Sequence, residues 1–121
     1  MSHRILIVDD EPNIVISLEY LMKKEGFEVA VATDGDAALQ QAAAFAPDLI
    51  LLDVMMPKKS GFEVCQALRA DQAQAAVKII MLTARGRETE VTKGLALGVD
   101  AYITKPFSTK DLVLQIKSLL A

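Results

Sequence analysis

The sequence predicts an open, doubly wound α/β fold, with one five-stranded parallel sheet and helices on both faces. Three observations carry that expectation. Apolar runs begin near residues 4, 27, 48, 77 and 99, with segments of helical period between them, so strand and helix alternate five times. The runs are almost continuously apolar, as strands covered on both faces are. Four of them deliver polar chemistry at or just after their ends. Arg4-Ile5-Leu6-Ile7-Val8 leads into Asp9-Asp10, and Leu49-Ile50-Leu51-Leu52 into Asp53. Ile79-Ile80-Met81-Leu82 leads into Thr83, and Ala101-Tyr102-Ile103-Thr104 into Lys105-Pro106.

The elements follow in order. After the first strand, Pro12 suits a first helical turn, where its missing N–H is not needed. Ile14, Leu18, Leu21 and Met22 then mark one face of a helix, and Gly26 ends it. An alanine-rich second helix is expected from about Asp36 to Phe45, stopped by Pro47. Its alanines suit tight packing. A third helix runs from about Gly61 to Ala70, with Phe62, Cys65 and Leu68 inward. The fourth, about Glu88 to Leu97, is the weakest. It has only Val91, Leu95 and Leu97 as bulky apolar groups, and Gly94 costs it roughly 1 kcal/mol against alanine. The last helix opens on Ser108-Thr109-Lys110-Asp111, read as a capping box. Leu112, Ile116, Leu119 and Leu120 follow at helical spacing. The longest irregular stretches are Val54 to Ser60 and Asp71 to Ala76, and the first directly follows Asp53.

No repeat, low-complexity tract or internal boundary interrupts this order, so residues 1–121 are read as a single domain. Hydrophobic residues make up 52% of the chain and charged ones 24%, an ordinary globular balance. The formal charge of −3 argues against direct nucleic-acid binding by this domain, which would normally show a basic excess. One cysteine, Cys65, allows no internal disulfide and fits the reducing cytoplasm. No run approaches the roughly 20 apolar residues of a membrane span, and the N-terminus lacks a signal-peptide pattern.

In an open parallel sheet, ligands sit outside the carboxyl ends of the strands, where the strand order switches. Right-handed crossovers admit the order 2-1-3-4-5, which makes strands 1 and 3 neighbours at that switch. Asp9 and Asp10 then stand beside Asp53. Three close carboxylates repel one another, and a hard divalent cation with oxygen preference, such as Mg²⁺, resolves the conflict. A carboxylate in this setting can serve as a nucleophile and form an aspartyl-phosphate. Lys105 and the cation would offset charge on the transferring phosphoryl group, and the Thr83 hydroxyl would donate to one of its oxygens. Ala84 is small, which leaves room for a donor.

Taken singly, these residues have ordinary uses. An Asp at a strand end commonly caps a helix or forms a turn, Thr83 alone would be a capping hydroxyl, and Lys105 alone a solvated side chain. Tyr102 alone would be a half-buried aromatic of an edge strand, Cys65 a buried inert thiol, and His3 inert. Met55 and Met56 suit backbone or packing roles. The sharper reading comes from the set.

That set is Asp9-Asp10, Asp53-Val54-Met55-Met56-Pro57, Gly61, Thr83-Ala84 and Lys105-Pro106-Phe107. It resembles the receiver domain of two-component response regulators, a flavodoxin-like fold, over essentially the whole chain. The order 2-1-3-4-5 is that of this family, so the spacing does not establish it independently. The resemblance implies phosphotransfer from a phosphohistidine of a sensor histidine kinase, or of a histidine phosphotransfer protein, to Asp53. It implies Mg²⁺, with Mn²⁺ as an alternative, held by Asp10 and Asp53, by the backbone carbonyl of Met55, and by Asp9 directly or through water. It implies that Thr83 and Tyr102 act as a switch. They alter the surface of the fourth helix, fifth strand and fifth helix toward an unidentified output domain or target protein. The chain would then be a signalling switch rather than a turnover enzyme.

Two other classes are disfavoured by particular residues. Phosphatases that use an aspartyl-phosphate commonly carry a second Asp two residues after the nucleophile, where Met55 stands. A flavin carrier would want hydroxyls and glycines after the first strand, where Asp9-Asp10-Glu11-Pro12 is anionic. The Lys105-Pro106-Phe107-Ser108 stretch and the fifth helix also resemble the winged-helix transcription-factor subfamily. Its members pair through charged residues, in a phosphorylation-dependent homodimer. Ala101 and Gln115 stand where such charges are often found.

Overall fold

The computed structural model describes residues 3–56, 58–84, 97–105 and 107–121, the side chain of Ala84 apart. Five strands form one parallel sheet: β1 (Arg4–Val8), β2 (Glu28–Ala32), β3 (Leu49–Asp53), β4 (Lys78–Ala84) and β5 (Ala101–Lys105). The spatial order is β2-β1-β3-β4-β5. Helices α1 (Pro12–Lys24), α2 (Gly35–Phe45) and α3 (Gly61–Ala70) and the C-terminal helix (Thr109–Leu120) cover it. The expected fourth helix lies outside the described residues, except that Leu97 is helical.

The unbroken apolar runs are explained by two cores. Ile5, Leu6, Ile7 and Val8 are each fully buried, although successive side chains of a strand point to opposite faces. Leu6, Val8, Ile50, Leu52, Ile79 and Met81 pack with α2 and α3 through Ala38, Ala42, Val64, Cys65 and Leu68. Ile5, Ile7, Leu49, Leu51, Ile80 and Leu82 pack on the other face with Leu18 and Met22 of α1 and Leu112 and Ile116 of the C-terminal helix. β2 departs from the expectation of full burial. Its Val29, Ala30 and Val31 are only partly buried, because the strand order places β2 at an edge.

Apart from the N-cap of α1, the helix ends follow local chemistry. Glu11 is the N-cap of α1, Pro12 opens it, and Gly26 beyond its end adopts φ 89°, a left-handed conformation that suits glycine. α2 begins one residue earlier than expected, at Gly35, because the Asp34 side chain accepts from Ala37 N at 2.8 Å. It ends where Ala46 turns left-handed, φ 52°, just before Pro47, which disfavours a right-handed helical residue ahead of it. Ser108 Oγ accepts from Asp111 N at 3.3 Å, the hydroxyl half of a capping box. The two-way box is at α3, between Ser60 and Glu63, where it had not been expected.

Candidate phosphoacceptor site

Register sets the site before any side chain is considered. Val8 pairs with Leu52, so Asp9 and Asp53, the next residues, emerge at one level on adjacent strands. Asp53 pairs with Leu82, which places Thr83 one residue further along β4. Thr83 pairs with Thr104 and Ala84 with Lys105. The four strand ends therefore share one edge. The distance from β5 to β3 is two strand spacings, roughly 10 Å, which suits the long side chain of lysine.

Lys105 spans that distance. Its Nζ donates to Asp9 Oδ2 at 3.0 Å and to Asp53 Oδ1 at 3.4 Å, and lies 3.5 Å from Glu11 Oε1. Its side chain is only 17% exposed, so it is not the solvated lysine of the ordinary reading. Asp9 is fully buried and also accepts the backbone N–H of Glu11 at 3.0 Å, which joins the strand end to the start of α1. Asp10 is exposed, and its carboxylate joins those of Asp9 and Asp53 in a set whose oxygens lie within 4.8 Å of one another. Three oxygen donors at that separation, with one open to solvent, fit a small hard cation that keeps several waters. Thr83 Oγ1 is buried with no hydrogen-bond partner among the described residues.

The electrostatics follow from this crowding. Burial, and then the neighbouring Asp9 charge, push the Asp53 carboxyl up to about 6. Lys105 and the backbone N–H of Met55 partly offset the rise. Burial works against the Lys105 ammonium. Its hydrogen bond to Asp9 and the charges of Asp53, Asp9 and Glu11 outweigh that, so its proton is held more tightly than in a free lysine.

Two glycines allow the loop after β3 to pack closely. A Cβ on Gly61 would collide with the Asp53 carbonyl oxygen, and one on Gly35 with Lys59. Lys58 takes the left-handed conformation, φ 69°, and Lys58 and Lys59 each lie 3.7 Å from a carboxylate at the start of α2, that of the capping Asp34 and that of Asp36. The segment carrying Met55 is thereby held between α2 and α3.

Of the other residues singled out in the sequence, Tyr102 is half-buried and packs on the α2/α3 side of the sheet. Ala101 and Ile103 face the opposite core, as their alternation predicts. Cys65 is buried, and burial raises its thiol pKa, with Arg69 lowering it and Asp100 raising it. Exposed His3, just before β1, lies 3.5 Å from Asp48, just before β3. Pro57 and Pro106 lie outside the described residues. Glu11 joins the site although it is not among the residues the sequence points to. The signal available was a residue that rarely caps a helix standing in the cap position beside the Asp pair.

Comparison with known proteins agrees with this geometry. The family model described as "Response regulator receiver domain" matches residues 5–117. The alkaline phosphatase synthesis transcriptional regulatory protein PhoP of Bacillus subtilis is 46% identical over 120 residues, which are 99% of this chain and 49% of that protein. The DNA-binding response regulator MtrA of Mycolicibacterium smegmatis is 43% identical over 99% of this chain and 51% of its own length. The chain thus spans about half the length of these curated relatives. The solved structure of the chemotaxis response regulator CheY4 of Vibrio cholerae superposes with a TM-score of 0.92 at 30% identity, covering 98% of this chain and 99% of that one. With the family match running from β1 into the C-terminal helix, and the same sheet and strand-end chemistry beneath it, the chain belongs to the receiver domains of two-component response regulators.

Proposed function

We propose that this receiver domain, residues 1–121, is switched by phosphorylation of Asp53. The family's role is a phosphorylation-dependent switch, and the assignment to Asp53 is supported by its place at the end of β3, between the Asp9–Asp10 pair that follows β1 and Thr83 on β4, with Lys105 Nζ 3.4 Å from its carboxylate. The donor is a phosphohistidine on a sensor kinase or a histidine phosphotransfer protein. An Asp53 carboxylate oxygen attacks phosphorus, the new O–P bond forms, the P–N bond breaks, and the imidazole leaves and takes up a proton. A carboxyl titrating near 6 is mostly ionised at neutral pH, as a nucleophile must be.

Asp9, Asp10 and Asp53 would hold Mg²⁺, or Mn²⁺ in its place, together with the Met55 backbone carbonyl. The ion supplies positive charge against the phosphoryl oxygens. Lys105 contributes a fixed charge from the opposite side of the sheet edge. Thr83 offers its hydroxyl, which has no partner among the described residues, to a phosphoryl oxygen. Movement of Thr83 toward that oxygen lets the Tyr102 ring turn inward, and the surface around β5 changes. The consequence is signalling to an output domain or target protein, with slow self-dephosphorylation rather than turnover of outside substrates. The setting is the cytoplasm. Among the described residues no helix is long and apolar enough to cross a membrane.

The test is Mg²⁺-dependent labelling by acetyl phosphate, followed by intact mass. The wild-type chain takes up one phosphoryl group and Asp53→Ala none. Equal labelling of the variant contradicts the assignment.

A further inference from the structure

The N-cap of α1 breaks a local rule. Asp, Asn, Ser and Thr are favoured there because their short side chains accept a helix N–H, yet the position holds Glu11, whose side chain makes no capping hydrogen bond. Its carboxylate instead turns back over the strand edge to within 3.5 Å of Lys105 Nζ. The backbone beneath it is anchored: Asp9 Oδ1 takes the Glu11 N–H at 3.0 Å, and Pro12 fixes the following φ. The side chain, in contrast, is 61% exposed and has room to follow the ammonium.

Lys105 has three carboxylate neighbours in this structure: Asp9, Asp53 and Glu11. Asp9 and Asp53 belong to the close set able to hold a cation, and Glu11 does not. A cation engaging that set would compete with Lys105 for the Asp9 and Asp53 carboxylates. Without another partner, a lysine reaching in from β5 would return to solvent just when a phosphoryl group needs it.

We propose that Glu11 is a positioning residue for Lys105, holding its ammonium at the mouth of the crevice when Asp9 and Asp53 are engaged by a cation. This rests on the phosphoacceptor reading above and adds a residue to it. A half-exposed ion pair is worth a fraction of a kcal/mol to about 1, so the effect on rate is about two- to fivefold.

Two readouts test it. The ammonium resonance of Lys105 is followed by NMR in the wild-type chain and in Glu11→Gln, with and without saturating Mg²⁺ and with no phosphodonor. The wild type keeps a slowly exchanging signal in Mg²⁺, and Glu11→Gln loses it. Labelling by acetyl phosphate at saturating Mg²⁺ is then compared across Glu11→Gln, Lys105→Ala and the double variant. Glu11→Gln slows labelling about two- to fivefold in the parent and adds nothing in the Lys105→Ala background, with Mg²⁺ affinity by calorimetry unchanged. Three results overturn the proposal: a Lys105 signal indifferent to Glu11, an equal loss in the Lys105→Ala background, or faster labelling of Glu11→Gln. The last would mean that Glu11 only repels the anionic donor. Because the NMR arm needs no donor, failure of the Asp53 assignment would not be mistaken for failure of this one.

Discussion

Asp53 pays for its role in stability. Its carboxyl titrates at about 6 in the fold against 3.8 outside it, so the folded chain binds the extra proton between those values. Stability therefore falls as pH rises through about 6, and above it the buried charge costs on the order of 2–3 kcal/mol. Asp53→Asn should raise the stability of the metal-free chain at pH 7.5 by about 1–2 kcal/mol. The gain should shrink as pH is lowered from 6 toward 4, as read by urea unfolding. Saturating Mg²⁺ should erase it, since at a hundredfold excess over its dissociation constant the ion stabilises the wild type by about 2.7 kcal/mol. Thr83 offers a complementary test. Its buried hydroxyl has no partner among the described residues, so Thr83→Val should leave stability unchanged or raise it by up to about 1 kcal/mol. Labelling of Asp53 should persist, while the Tyr102 ring signals in NMR should no longer respond to beryllofluoride. At this scale the sequence was informative about Asp9, Asp53, Thr83 and Lys105, because strand ends concentrate their chemistry in one place. It was silent on Glu11, whose role depends on how far a lysine reaches across the sheet, a distance no spacing encodes.

The elements show where local signals sufficed. α3 begins at Gly61 and ends at Ala70 as expected, and the alternation of Ala101, Tyr102 and Ile103 correctly divided β5 between the two cores. The start of α2 was missed by one residue because the Asp34 cap outweighed glycine's poor helix propensity at Gly35. The burial of β2 was overestimated because edge position is a property of strand order. Glycines divide similarly. Gly61→Ala would drive a Cβ into the Asp53 carbonyl oxygen and should destabilise the fold by about 2 kcal/mol or more, with slower labelling as the loop is displaced. Gly26→Ala meets no neighbouring atom and bears only the strain of φ 89°, so about 1 kcal/mol is expected and labelling should be unchanged. Thermal unfolding with labelling kinetics separates the two.

For the whole molecule, periodicity and near-continuous apolar runs were enough for a sheet covered on both sides. The order β2-β1-β3-β4-β5 was carried by the family resemblance. The output is the part least written in these residues, since the curated relatives are about twice as long as this chain. At this scale we propose a phosphorylation-dependent homodimer. Sedimentation should show mass rising on addition of beryllofluoride and Mg²⁺, and unchanged mass would sink it. The central claim is chemical and local: the strand ends make Asp53 the phosphoryl acceptor. The most direct measurement is reduction of the acetyl-phosphate-treated chain with borohydride, which converts an aspartyl-phosphate to homoserine, followed by peptide sequencing. Homoserine at position 53, formed only when Mg²⁺ was present, is the predicted result; homoserine at another carboxylate, or none in a chain that has taken up phosphate, would contradict it.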